Sequence, residues 1–239
     1  MGFIHGKNTG VLVGGGNLSA VFNEASASQD VETAETTAFG SSAKTYIIGL
    51  KDGTMSVSGM FDGAEDSVDE QIEAALGVEA ASVATIAPEG LAVGKASYSC
   101  SARKTSYEIS SPVGDVVSTS LSIQADGGID RGVLLAAGAA VTTSGEGAGQ
   151  DNSAATPNGG VGFLHVTANT RNGATTFKVQ HSVDGVTYAD LVTFTSVPSS
   201  TTTAERVAVT GTVNRYLRAS HAPGGSTGSV TYTMAFARK

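Results

Sequence analysis

Six residues of this chain come close to a phosphate-binding loop and miss it. Gly90-Leu91-Ala92-Val93-Gly94-Lys95 has three residues between its glycines where the loop needs four, and Ala96 stands where a hydroxyl side chain would meet magnesium. Gly14-Gly15-Gly16 sits in no strand-to-helix pattern and reads as a flexible turn. The histidines His5, His165, His181 and His221 share no short ligand spacing, so no metal centre is expected. Cys100 has no adjacent His or Lys to stabilise a thiolate and reads as a small, half-buried strand residue. Carboxylates cluster at Asp30, Glu32 and Glu35, and again at Asp62, Glu65, Asp66, Asp69, Glu70 and Glu73. A glycosidase needs two carboxyl groups facing across a cleft, which a linear cluster does not supply. The second cluster suits a helix N-terminus and a solvated face. The expectation is a chain with no catalytic residue, no metal ligand and no cofactor.

Composition narrows the classes further. Of 239 residues only 15% are charged and 40% are hydrophobic, which is a globular balance, while 31 glycines imply many turns. Trp is absent and aromatics are few, against the exposed platforms that glycan and single-strand nucleic-acid binders use. The net charge of -8 is split unevenly, with 19 acids against 7 bases through Thr156 and 3 against 7 from Pro157 onward. An acidic first portion is a poor ligand for phosphates, which need Lys and Arg to displace counterions. The N-terminus carries no basic segment followed by an apolar run, so synthesis in a cytoplasm without secretion is expected. The longest apolar run, Val133 to Val141, is too short for a membrane span, and the lone cysteine leaves no internal disulfide.

The elements that would position any site read as follows. Tyr46, Ile48 and Leu50 alternate, Lys51-Asp52-Gly53-Thr54 intervenes, and Met55, Val57, Gly59 and Phe61 alternate again, which predicts a hairpin turning at Asp52-Gly53. A helix is expected from Val68 to Leu76, with Ser67 and Glu70 as capping box, Gly77 as stop, and Val68, Ile72, Ala75 and Leu76 as its apolar stripe. Strands follow at 95–102, 106–109 and 116–123. The stretch 144–160 has no large apolar side chain and reads as a flexible linker. Beyond it, strands at 163–168, 176–181, 186–194, 206–209, 215–219 and 230–236 have the rhythm of a small sandwich or jelly roll.

Asp30-Val31-Glu32-Thr33-Ala34-Glu35-Thr36-Thr37-Ala38-Phe39-Gly40, then Lys44 to Leu50, Lys51-Asp52-Gly53-Thr54 and Gly59-Met60-Phe61-Asp62-Gly63 resemble, in that order, the major tail tube proteins of long-tailed (siphovirus-type) bacteriophages. The resemblance spans about residues 1–143. The C-terminal stretch, with Gln180-His181-Ser182-Val183-Asp184-Gly185 and Arg215-Tyr216-Leu217-Arg218-Ala219, is similar to β-sandwich decorations of phage structural proteins. What this implies is a mainly β chain, with a tail-tube-type sandwich or barrel at 1–143 carrying one short helix, a linker at 144–160 and a β-sandwich at 161–239. It further implies a non-enzymatic virion protein that assembles with itself into hexameric rings. The rings stack into a tube, meet other tail proteins, insert in no membrane, and pass DNA along an acidic lumen without binding it. Asp30, Val31, Glu32, Thr33, Glu35, Thr36, Thr37 and Phe39 are the expected assembly segment, mobile alone and ordered against a neighbour, because so few of its side chains are apolar. The alternative is a surface adhesion module whose C-terminal sandwich binds glycan.

Overall fold

The computed structural model describes residues 4–63, 68–73, 76–78 and 82–239, which build two antiparallel sheets. A 3-10 turn at Gly6–Asn8 leads into β1 (Gly10–Val13), β2 (Gly16–Asn17), β3 (Phe22–Glu35) and β4 (Tyr46–Met60). Next come α1 (Val68–Glu73), β5 (Ser82–Ala87), β6 (Ala96–Ser110) and β7 (Ser118–Val141). After them lie β8 (Gly145–Glu146), β9 (Gln150–Asp151), β10 (Gly160–Asn169), β11 (Thr175–Ser182), β12 (Ala189–Thr193), β13 (Thr203–Val209), β14 (Tyr216–Pro223) and β15 (Val230–Arg238). The larger sheet runs β13-β10-β15-β7-β6-β5-β1-β2, with β4 also on β7 and β3 on β4; the smaller runs β12-β11-β14-β8, with β9 on β14.

Strand β7 organises both halves. One side pairs with β6 from Ser118 to Val133; the other pairs with β4 over Ser118–Gln124 and with β15 over Val133–Val141. Between the two partners lie Gly127 and Gly128, both at positive φ (87° and 84°), a backbone state that only glycine adopts cheaply. The strand bends there and changes neighbours. Val57, Leu121 and Ile123 bury one face of the first half with Met55 and Cys100. Leu135, Leu164, Phe177, Leu217, Met234 and Phe236 fill the second half between the two sheets. A third cluster unites Val83, Ala87 and Leu134 with Val161, Phe163, Ala235 and Ala237.

The expected turn at Asp52-Gly53 is absent: β4 continues straight through it. Gly53 pairs with Gln29 and Thr54 with Gln124, so the chain there is held on both sides. A Cβ on Gly53 would meet Ile129 Cγ1 at 3.1 Å and Ala125 Cβ at 3.3 Å, so this glycine serves close packing and not reversal. The strand pieces expected at 95–102 and 106–109 fuse into β6. Helix α1 is present, with Ile72 buried and Gly77 at φ 70°, but Leu76 lies beyond it and is 39% exposed. Ser67 and Ala75, with the side chains of Val68 and Glu70, fall outside the described residues, so the capping box and part of the stripe do too. Tyr107 Oη donates to Asp69 Oδ1 at 2.6 Å and ties the helix to β6.

The C-terminal strands follow the expected rhythm, except that 186–188 precede β12. Asp184 Oδ1 accepts from the Val186 and Thr187 amides, both at 2.9 Å, and curls that stretch into a turn. The sandwich does not close on itself, because β10, β13 and β15 belong to the larger sheet. Nor is 144–160 a free tether. Glu146 pairs with Ser220 and Gln150 with Leu217; Thr156 bridges Val213; and Arg238 Nη1 donates to Ala154 O at 2.7 Å. One further cation is held by backbone carbonyls: Arg171, only 3% exposed, donates to Gly224, Gly225 and Gly228 oxygens at 2.7–3.0 Å through its Nε, Nη1 and Nη2. That arrangement satisfies buried N–H groups that would each cost roughly 1–3 kcal/mol unpaired.

Where the halves meet, His165 on β10 is 1% exposed. Its Nδ1–H donates to Gly14 O at 2.8 Å, which leaves Nε2 to accept from Thr85 Oγ1 at 2.9 Å. Burial pushes its pKa down to about 4 from 6.5. The ring is neutral in the fold and takes a proton near pH 6.5 when unfolded, so this stabilisation is full above pH 6.5 and is lost as pH falls toward 4. His181 and His221, also lowered by burial, add to the same slope. Urea titrations at pH 7.5, 5.5 and 4.5 should show stability falling with pH, and His165→Gln should flatten that slope while lowering stability at pH 7.5. An unchanged slope in the variant would assign the effect elsewhere.

A second outcome follows from the shared sheet. A protease site inserted between Ala148 and Gly149 and then cut should leave two pieces that co-elute on gel filtration, because β7 and β15 remain paired. Separation of the pieces without denaturant would mean that the β7–β15 ladder does not hold the halves.

Candidate assembly interface

The exposed part of the molecule begins where β3 and β4 leave the core. From Ser26 to Asp52 every residue is solvent-exposed, although the strands stay paired from Phe22–Gly59 to Glu35–Tyr46. A two-stranded ribbon is marginal in water by itself. This one carries Val31 (43% exposed), Phe39 (110%), Tyr46, Ile47, Ile48 (79%) and Leu50 (75%) into solvent, large apolar groups spread over both of its faces.

The expected assembly segment divides between this strand and its tip. Asp30 faces Asp52, Val31 faces Lys51, Thr33 faces Ile48 and Glu35 faces Tyr46. Glu32 lies at a bulge against Gly49, where a Cβ would sit 3.1 Å from the Glu32 Cβ. Lys44 bridges Glu35 at 3.0 Å and lowers its pKa, though both side chains are open to solvent and the pair adds little stability. Thr36 N donates to Thr45 O at 2.8 Å, Thr45 N to Thr37 Oγ1 at 3.1 Å, and Phe39 stands free at the tip. Tyr46, Ile47, Ile48 and Leu50 were not among the expected assembly residues. Their signal was legible: three consecutive large apolar residues cannot all point to one face of a strand.

At its base the ribbon joins a four-stranded antiparallel sheet, β3-β4-β7-β6. One face is apolar and bears Ala25, Val57, Leu121 and Tyr107, with Ile72 of α1 in the same core. The other is small and polar. Across it run Ser26, Ser56, Ser122 and Ser106 in one row and Glu24, Ser58, Ser120 and Glu108 in the next. Ser26 and Ser56 hydroxyls lie 2.7 Å apart, and Ser58 Oγ donates to Glu24 Oε2 at 3.1 Å. Gln124 Nε2 and the Gly53 amide both donate to Asp52 Oδ1 beside Asp30. Both outer edges are open: among the described residues, no strand pairs with the outer side of β3, nor with β6 beyond Ala102.

The motifs weighed for chemistry sit apart from this sheet face or are used in packing. Lys95 bridges Glu89 at 3.0 Å, and Cys100 is fully buried with its thiol pushed up to about 12 by burial. Among the described residues no three His, Cys, Asp or Glu side chains converge as a metal site. An open groove of about 560 Å³ lies beside the ribbon's base, lined by His5, Lys7, Thr9, Phe22, Asn23 and Glu24.

No protein-family model matches the chain, and no curated protein matches it in sequence. Among solved structures it is similar to a chain of the virion of a native gene transfer agent particle, at 16% identity over 54% of this chain and 98% of that one, TM-score 0.44. It is similar also to a chain of the PVC sheath/tube terminator of an extracellular contractile injection system, at 16% identity over 55% and 97%, TM-score 0.45. A third is the Dit protein of SPP1, described as a paradigm of the hub adsorption apparatus of phages infecting Gram-positive bacteria, at 14% identity over 95% and 98%, TM-score 0.36.

Because Phe39 is fully exposed, Phe39→Ser should leave the circular dichroism and melting temperature of the monomer unchanged while reducing self-association at high concentration, read by sedimentation. A variant that unfolds would place Phe39 in the core after all.

Proposed function

We propose that this chain is a structural subunit of a phage-like tail, which closes edge to edge with copies of itself into rings that stack as the tail tube. The carrying observation is the open four-stranded sheet. Its strands alternate in direction, so β6 of one copy and β3 of the next, brought together by rotation about an axis along the strands, run antiparallel and can complete each other's hydrogen bonds. A rotation that repeats a heterologous contact closes a ring. Ring number six follows the sequence resemblance. Six such sheets, at usual strand spacing and tilt, give a barrel roughly 50 Å across.

The apolar face carries α1 and the core and therefore turns outward. The serine face, with Glu24, Asp30, Asp52 and Glu108, then lines the bore, where carboxylates repel phosphate and hydroxyls give a hydrated, non-adhesive wall for DNA. Residues 161–239, with their excess of bases, form the outer decoration on the ring-forming unit 1–143, and the assembly resides in the virion with other tail proteins. A glycan-binding role for the outer portion has less support: the faces of Tyr188 and Tyr216 are covered by Arg218 at 4.1 Å and Arg215 at 5.0 Å.

Negative-stain imaging with light scattering on concentrated protein tests this. Rings or tubes with a stain-filled bore are expected. A monomeric mass at high concentration, with and without tail-assembly partners, would overturn it.

A further inference from the structure

Resting on that ring, the register in which two copies join can be read from the two edges. Strand β3 carries Glu24, Asp30, Glu32 and Glu35 and no base, whereas residues 103–110 of β6, whose outer side pairs with no described strand, carry Arg103 and Lys104 against Glu108 alone. An acidic edge thus meets a basic one. Pleating allows only even shifts, because an odd one would turn every side chain to the wrong face. Following the ladders across one copy, Arg103 lies level with Gln124, Thr54 and Ser28; Glu108 lies level with Ser120, Ser58 and Glu24; and Tyr107 lies level with Leu121, Val57 and Ala25.

With no shift, Glu108 of one copy would face Glu24 of the next, and directly opposed like charges destabilise a sheet. Moved two residues toward the ribbon tip, Glu108 faces Ser26, Ser106 faces Ser28, and Arg103 faces Asp30. On the other face Lys104 meets Gln29, Tyr107 meets Ala27 and Ile109 meets Ala25, so two large apolar side chains cover two alanines. Moved four, Tyr107 would meet Gln29 and Lys104 would meet Val31, which loses both matches.

We propose that copies of this chain join β6 to β3 with a two-residue stagger, placing Arg103 of each copy against Asp30 of its neighbour. The placement answers a strain within the single copy. Asp30 stands directly across from Asp52, and a guanidinium arriving at that level offsets part of their repulsion. Arg103 already reaches toward the tip, to Asp126 at 3.1 Å, and the five N–H donors of a guanidinium let it keep partners in its own copy while meeting a further carboxylate. A stagger at each junction is also what closing a barrel demands.

Double-cysteine variants of the full chain read the register. Within one copy positions 26 and 108 are three strand spacings apart, about 14 Å, beyond the reach of a disulfide. Ser26→Cys/Glu108→Cys, oxidised after assembly, should give a ladder of covalent oligomers on non-reducing gels. Glu24→Cys/Glu108→Cys and Ser28→Cys/Glu108→Cys, which test shifts of zero and four, should remain at one-chain mass. Assembled protein that cross-links only in one of the latter, or in none, overturns the register and leaves the ring standing; protein that never assembles overturns both. As a second arm, Asp30→Arg should keep the monomer folded, since Asp52 faces it, yet raise the concentration needed for assembly severalfold, and adding Arg103→Glu should restore it. Assembly unaffected by Asp30→Arg would remove Arg103 from the junction.

Discussion

The molecule depends on one strand serving three neighbours. The 24 residues of β7 are paired with β6 over Ser118–Val133 on one side, and on the other side they pass from β4 over Ser118–Gln124 to β15 over Val133–Val141. The pair Gly127-Gly128 makes the exchange possible, since two successive positive φ angles bend the strand without a side-chain clash. Everything N-terminal to the bend faces the ribbon, and everything C-terminal to it faces the sandwich. The two portions are therefore fastened by a ladder, by the buried His165–Thr85–Gly14 contact and by a shared apolar cluster, and the segment 144–160 contributes its own pairings on top.

That fastening explains how a marginal ribbon can be displayed. Apolar burial in the sandwich and around β7 holds the fold, so residues 26–52 contribute almost nothing to the monomer's core and are left to make contacts outside it. Their exposed Ile47, Ile48 and Leu50 would be a liability on a solitary protein. In the ring we propose, the same side chains would find cover and the edges of β3 and β6 would find partners. The outermost strand at the other end of the sheet, β13, is instead guarded by Glu205 and Arg206, with Arg206 leaning on Asp130 at 3.6 Å.

Several features were legible in the residues. Periodicity of two located the strands of the C-terminal portion, Ile72 marked the buried face of the helix, and the thin apolar content of 30–39 foretold a segment with little hold on its own core. Two failures share one cause. Asp52-Gly53 was read as a turn because that dipeptide favours one locally, and 144–160 as a tether because it lacks large apolar side chains. Local preference is worth about 1 kcal/mol, and pairing on both flanks overrides it.

By itself the sequence determined a mainly β chain, acidic at the front and basic at the rear, because composition and alternation act residue by residue. Only the tertiary structure decided which strands are neighbours. Pairing partners such as β7 and β15 are about a hundred positions apart, and no local pattern encodes a hydrogen bond made at that distance. It also decided which edges are open among the described residues, since no local pattern says which strand ends a sheet. For the same reason Gly53 packs under Ile129 instead of turning the chain: the space above it is filled by a residue 76 positions away, and that contact exists only once the sheet has formed.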